Sequence, residues 1–307
     1  MPILLAIDAE PEERAQWRAL LRAELPGETL VDEASADVDI AIVANPPPGA
    51  LSGLPRLRLI QSLWAGVDRL LADSTIAPDV PLARMVDPAM NVAMAESALW
   101  AVLALHRDFF RYTAQQRAAD WRVHPQRRAD EVRVAVLGLG QMGRTVALRL
   151  AANGYPVSGW SLRPAEVPGV RTSAGEAALP ATLAQADIVV NVLPLTPATR
   201  GLFDAHRLAQ MRAGASLVNL ARGAHVVEAD LLAALERGHL HHAVLDVFAA
   251  EPLPPEHPFW RHPQVTVLPH VAAQTDPRSA ARVAADNVRA VRQGRAPLHL
   301  VDRTRGY

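Results

Sequence analysis

The chain has 307 residues, half of them hydrophobic, which is material for about two domains with separate cores. Its 31 basic and 32 acidic residues are well mixed and leave a net charge of −1, so no field is offered to nucleic acid or to an anionic lipid surface. Neither cysteine nor lysine occurs, which excludes disulfides, thiol nucleophiles, cysteine zinc sites, a Walker A loop and a Schiff-base lysine.

The N-terminus, MPILLAIDAEPEER, lacks the basic n-region of a secretion signal and reads as a first strand. No apolar run reaches the ~18 residues that span a bilayer, and a cytoplasmic protein without membrane or nucleic-acid partners is expected. ILLAI (3–7), DIAIVAN (39–45) and LRLIQSL (57–63) are short strand-like runs, with the amphipathic segment EERAQWRALLRAEL between the first two. A long helical pattern starts near Asn91 and runs through NVAMAESALWAVLALHRDFFRYTAQQRAADW. A second series follows: VRVAVL (132–137), a helix over 141–153 with Gly154 beyond its end, then PVSGW, DIVVNVL, ASLVNL, HAVLDVF and VTVLPH as strands. A last helix is expected over roughly 276–293. Alternating strands and helices predict an α/β protein with parallel sheets. The layout is a small domain, 1–95 and 278–307, interrupted by a larger dinucleotide-type domain, 96–277.

Gly138, Gly140 and Gly143 form G-x-G-x-x-G between a strand and a helix. In that context the first glycine makes the turn, the second admits a pyrophosphate to the backbone, and the third lets helix and strand pack. The helix N-terminus, at Gln141 and Met142, supplies N–H groups. The alternative is a turn that needs glycine for packing alone. NAD binders place an acidic residue at the end of the next strand, but here the chain reads Trp160, Ser161, Leu162, Arg163. An acid would repel a 2′-phosphate, whereas Ser161 and Arg163 can donate to one. NADP(H) is therefore the expected cofactor, with NAD(H) second; the competing view makes Arg163 a solvated loop charge.

Three later strand ends carry polar residues: Arg222 beside Gly223, Asp246 with Glu251 after it, and His270 after Pro269. Ligands of open α/β sheets collect at the carboxyl ends of strands. Reduction of a 2-keto acid needs a cation for the carboxylate and developing alkoxide, a proton donor titrating near neutrality, and a carboxylate beside that donor. Taken singly, each residue also has a plain reading as a surface charge, a loop histidine or a turn opener.

NLARGAHVVEADLLAALERGHLHHAVLDVFAAEPLP and LPHVAAQT resemble the D-isomer-specific 2-hydroxyacid dehydrogenase family, and more closely its glyoxylate/hydroxypyruvate reductase A branch. LIQSLWAGVDRLL is similar to the family's substrate loop, NVLPLTPATRGLF to its segment beside the adenosine, and the tail VDRTRGY to the branch's ending. The resemblance implies a Rossmann-type domain inserted into a flavodoxin-like substrate domain. It implies that Arg222 binds substrate, that His270 is the proton donor and that Glu251 is its partner. Asp246 would lie near the nicotinamide, Leu193, Pro194, Thr199 and Ala221 along the cofactor, and the amides of Trp64, Ala65 and Gly66 at the substrate carboxylate. A homodimer through the cofactor domain is implied as well. The chain departs from the branch at Asn45, where an aromatic residue is usual, and at Trp64, where a small one is. A bulkier 2-keto acid or phosphoglycerate is the rival substrate, and a dinucleotide-sensing binding protein the rival class. HLHH (239–242) reads as a surface loop without metal, the six tryptophans as packing residues, and Arg127 and Arg128 as solvated.

Overall fold

The computed structural model describes residues 1–306; Tyr307, the last residue of the tail, lies outside the described residues. The chain forms two compact units, one of Met1–Met90 with the segment from Thr275 onward, the other of Asn91–Gln274.

The first unit opens with β1 (Ile3–Ile7), α1 (Pro11–Glu24), β2 (Leu30–Val31), β3 (Ile40–Ala44), β4 (Leu59–Ser62), α2 (Asp68–Ala72) and β5 (Leu82–Ala83). All strand pairs are parallel, in the order β2-β1-β3-β4-β5, a flavodoxin-like arrangement. Every residue of β3 is buried, as a parallel strand covered on both faces requires. In α1, Pro11 opens the helix, Glu12 and Glu13 sit at its positive end, and Trp17 and Leu21, one turn apart, are buried.

The chain passes into the second unit along α3 (Pro88–His106) and α4 (Phe109–Arg117), then β6 (Val134–Leu137), α5 (Gln141–Ala152), β7 (Val157–Ser161), β8 (Arg171–Ala174), α6 (Leu179–Gln185), β9 (Ile188–Asn191), α7 (Ala205–Gln210), β10 (Ala215–Asn219), α8 (Glu228–Glu236), β11 (Leu240–Leu245) and β12 (Val265–Val267). It returns to the first unit with α9 (Pro277–Arg292), whose start is capped by the Asp276 carboxylate accepting from the Arg278 and Ser279 amides. The second sheet is also all parallel, ordered β12-β11-β10-β9-β6-β7-β8. Its order reverses between β6 and β9, the switch point of a Rossmann sheet. Side chains alternate between two cores: Val134, Val136, Val190 and Val244 enter one, and Ala135, Leu137, Val189 and Leu245 the other. Each fully buried Val or Leu contributes roughly 1.5–3 kcal/mol.

Several expectations change. The pattern from Asn91 to Trp121 is two helices, broken at Asp108, which takes a left-handed conformation (φ 56°). α3 has 19 residues and mean hydropathy 1.3, so by length and composition it is apolar enough to cross a membrane. Met94, Ala95, Ala98, Ala101, Val102 and Leu105 of this helix are nevertheless core residues of the second unit. β8 was not anticipated because Arg-Thr-Ser-Ala carries no apolar pattern. HLHH is not a surface loop: β11 begins at Leu240, and His242 is buried, stacked on Phe110 at 4.5 Å with its Nε2 2.9 Å from Thr266 Oγ1. Trp17 and Trp160 are core residues, but Trp100, Trp121 and Trp260 are exposed. Arg127 is not simply solvated, since with Arg133 and Arg212 it surrounds the Asp187 carboxylate.

Candidate active site

In the second unit every candidate residue lies at or beyond the carboxyl end of a strand, along one edge of the sheet. At the end of β6, Gly138 has φ 99°, and a Cβ there would lie 2.9 Å from the Val192 carbonyl oxygen. A Cβ on Gly143 would lie 1.7 Å from the Gly138 carbonyl oxygen, so α5 packs on the turn with no room for a methyl group. Gly140 differs. It has an ordinary φ of −70°, and a Cβ there would meet no protein atom within 4 Å. Packing explains the first and third glycines but not the second, whose bare backbone faces open space at the N-terminus of α5. No side chain caps this helix, and its first turn holds no acidic residue. The residues present therefore fit a dinucleotide pyrophosphate, which would take the Gln141 and Met142 N–H groups and the positive end of the helix.

Ser161 closes β7, and its hydroxyl donates to the Arg163 carbonyl at 2.6 Å. The hydroxyl hydrogen is thus engaged within the turn, and Arg163 is exposed beside it. After β9, the Leu193 amide donates to Asn191 Oδ1 (3.3 Å). Thr199 is buried, with its hydroxyl donating to the Pro194 carbonyl (2.8 Å) and accepting from the Thr196 amide (2.8 Å). Thr199, expected along the cofactor, thereby staples the loop that follows Leu193 and Pro194.

Arg222 follows β10 in extended conformation (φ −143°). The next residue must be glycine, since a Cβ on Gly223 would lie 1.9 Å from the Phe248 carbonyl carbon. Glu251 receives His270 Nδ1 at 2.8 Å on one carboxylate oxygen and the Phe248 amide at 2.9 Å on the other. The hydrogen bond that His270 donates to Glu251 raises the His270 pKa above its ordinary value against the opposing effect of burial, and the Glu251 charge adds to it. Burial alone would raise Glu251, but its bonds to His270 and Phe248 and the positive charges of His270 and Arg222 together hold it low. Arg222 lowers both groups, which places its charge within their field. The pairing favours the imidazolium form of His270 beside an ionised Glu251, and it leaves Nε2, the ring nitrogen not bonded to Glu251, to give a proton.

His270 is held at φ 55°, a conformation uncommon outside glycine. Asp246, just past the end of β11, holds it there. Its carbonyl accepts from the His270 amide (2.9 Å), and its buried carboxylate accepts from the amides of Val271 (2.7 Å) and Ala272 (3.0 Å). Burial raises the Asp246 pKa, opposed by those two amides. Asp246, expected beside the nicotinamide, has its carboxylate engaged with the 270–272 loop.

In the first unit, the loop after β4 holds the expected substrate segment. The Trp64 amide donates to Ser62 Oγ (3.0 Å) and the Trp64 carbonyl accepts from the Met85 amide (3.0 Å). The Trp64 amide is therefore engaged, contrary to expectation, and Ala65 and Gly66 are the candidates for binding an anion. Its indole packs edge-on against Trp17 at 6.2 Å. Asn45 sits at the end of β3 with φ 44°.

A model of the family described as D-isomer specific 2-hydroxyacid dehydrogenase, NAD binding domain, matches residues 99–272, more than half of the chain. The chain belongs to this family. Among relatives, it is 38% identical to a glyoxylate/hydroxypyruvate reductase A from Yersinia enterocolitica, over 96% of this chain and 97% of that one. Among solved structures, it resembles a D-isomer specific 2-hydroxyacid dehydrogenase from Xanthobacter autotrophicus in complex with NADPH and MES. The TM-score is 0.94 at 41% identity, covering 100% of this chain and 99% of that one. An NADPH-dependent glyoxylate/hydroxypyruvate reductase from Sinorhizobium meliloti, in complex with NADP and sulfate, aligns at TM-score 0.93 and 36% identity, covering 100% and 99%. Both are full-length likenesses, so they span the two units and not the dinucleotide fold alone. Within this family member, sequence reasoning had missed Asn191, Asn219 and His225, three fully buried polar residues beside Arg222.

Proposed function

We propose that the chain reduces small 2-keto acids, glyoxylate and hydroxypyruvate among them, to 2-hydroxy acids with NADPH. The observation that carries this reading is the Glu251–His270 pair in the field of Arg222, on the same sheet edge as the glycine turn. NADPH, when bound, supplies the hydride for the keto carbon. His270 Nε2 delivers the proton to the keto oxygen, and Glu251 keeps the ring protonated and oriented until it does. Arg222 holds the substrate carboxylate and offsets charge developing on the oxygen. Ala65 and Gly66 are assigned to substrate binding by the likeness of their loop to the family's substrate loop. Gly140 and the Gln141 and Met142 amides hold the pyrophosphate, Gly138 and Gly143 shape the turn that presents them, and Leu193, Pro194 and Ala221 line the rest of the cofactor. Arg163, in place of the usual acid, supports NADP(H) over NAD(H).

The working form is a homodimer through the second unit. Val92, Trp100, Leu103, Phe109, Trp121 and Val123 on and after α3 and α4 are exposed, Trp121 at 97%, which calls for a covering partner. We assign the reaction to the cytoplasm. A panel of 2-keto acids assayed with NADPH and with NADH tests the reading, and preference for a bulky acid over glyoxylate and hydroxypyruvate would replace the substrate assignment.

A further inference from the structure

His225 lies three residues after Arg222 and is fully buried, and the reaction as described does not use it. It belongs to a chain of buried polar groups at the ends of β9 and β10. Two backbone donors fix the orientation of the asparagine amides in that chain. The Leu193 amide donates to Asn191 Oδ1 (3.3 Å) and the Ala221 amide to Asn219 Oδ1 (3.3 Å), so each oxygen is identified by its partner. Asn191 Nδ2 then has two hydrogens to place, one toward Asn219 Oδ1 (2.9 Å) and one toward His225 Nδ1 (3.1 Å). Asn219 Nδ2 donates to the Arg222 carbonyl (3.0 Å).

This order of donors sets the histidine tautomer. Nδ1 accepts from Asn191 and carries no proton, so the proton is on Nε2, which faces the Pro194 carbonyl at 3.3 Å. A proton on Nδ1 would point it toward the Arg222 carbonyl, also 3.1 Å away, but would set it against the Asn191 N–H. That carbonyl already accepts from Asn219. The backbone on either side of the ring is pinned as well: the Phe203 amide donates to the His225 carbonyl (2.9 Å) and the Gly201 amide to that of Ala224 (2.8 Å).

We propose that His225, with Asn191 and Asn219, is a positioning residue that ties the Leu193–Pro194 segment to the Arg222 turn. One ring thereby sets both a cofactor-lining loop and the substrate-binding arginine. This assignment rests on the proposed function. Disturbing the ring moves two parts of the site together, whereas disturbing a residue that only fills the core lowers stability and leaves the folded enzyme's constants alone.

His225→Phe keeps the ring's bulk and removes both nitrogens; His225→Gln restores an acceptor and a donor. The parent and both variants are compared for NADPH Kd by fluorescence titration, for keto-acid KM and kcat, and for Tm. In His225→Phe, NADPH Kd is expected to rise and keto-acid kcat/KM to fall, each by about 10-fold or more, the scale of a small misplacement of reacting groups. His225→Gln is expected to recover most of both. A folded His225→Phe with parent-like values for either quantity overturns the coupling. The 15N spectrum of histidine-labelled parent protein, with the His225 signal identified by its loss in His225→Gln, is an independent check that does not need the Phe variant to fold. The Nε2–H tautomer is expected, and the Nδ1–H tautomer refutes the network. A parent chain inert to every 2-keto acid would instead overturn the proposed function, and the Kd comparison and the tautomer would still decide the positioning claim.

Discussion

Alanine placed at each of the three glycines separates a turn shaped by packing from a turn shaped for a ligand. At Gly143 the new Cβ lies 1.7 Å from the Gly138 carbonyl oxygen, so α5 or the turn must shift. Overpacking of this kind costs roughly 1–3 kcal/mol and sometimes more. At Gly138 the contact with Val192 is looser, 2.9 Å, but φ is 99°, and left-handed backbone adds about 1–2 kcal/mol for a residue with a Cβ. At Gly140 neither cost arises, because φ is −70° and nothing lies within 4 Å. What remains is the slight preference for glycine over alanine at a helix N-cap, about 1 kcal/mol or less. Gly140→Ala is therefore expected to have a Tm near the parent's while its NADPH Kd rises about 10-fold or more, because the methyl group occupies the path by which a pyrophosphate reaches the backbone. Denaturant unfolding and NADPH titration of the three variants measure both quantities. A Gly140→Ala protein that binds NADPH like the parent would refute the reasoning and leave the turn as a packing device.

Other outcomes follow from the same geometry. His270→Ala is expected to lower kcat by about 10²–10⁴-fold, the range for losing a general acid, and Glu251→Gln to move the alkaline limb of the pH–rate profile to lower pH, because the bond that raises the His270 pKa is weakened; an unmoved limb would contradict the pairing. Arg163→Ala should raise KM for NADPH far more than for NADH, and equal changes would make Arg163 a solvated loop charge. Burial, helped by the charges of His241 and His262, pushes the His242 pKa from 6.5 to about 4. The unfolded chain then binds the extra proton between those values, so stability is full above pH 6.5 and falls as pH drops toward 4, by up to about 3 kcal/mol. His270 acts in the opposite sense, its raised pKa favouring the fold at low pH, so the comparison of parent with His242→Gln isolates His242. Parallel stability profiles for the two proteins would remove this account of His242.

The longer strands of both sheets were legible because parallel, doubly covered strands are nearly continuous apolar runs, as in IAIVA and VAVL, whereas β2 and β5, two residues each, are too short to show a pattern. β8 was not, because an edge strand of polar residues has no such pattern, and the break at Asp108 was not, because no proline or glycine marks it. The site residues were legible where chemistry and a local signal coincide, as with glycines before a helix or Arg-Gly, Glu-Pro and Pro-His at strand ends. The Asn191, Asn219 and His225 network was hidden, since its members are far apart in sequence and meet only through the parallel pairing of β9 with β10. The loop-bracing bonds of Asp246 and Thr199 were not legible either, because burial and the partners it brings are not written in a motif.

The central claim is hydride reduction of a small 2-keto acid at the expense of NADPH. Its most direct test is the parent protein incubated with glyoxylate and NADPH, with oxidised cofactor and 2-hydroxy acid quantified together. The account predicts equimolar NADP⁺ and glycolate, formed faster with NADPH than with NADH; NADPH bound but not oxidised in the presence of glyoxylate, hydroxypyruvate or any bulkier 2-keto acid would contradict it.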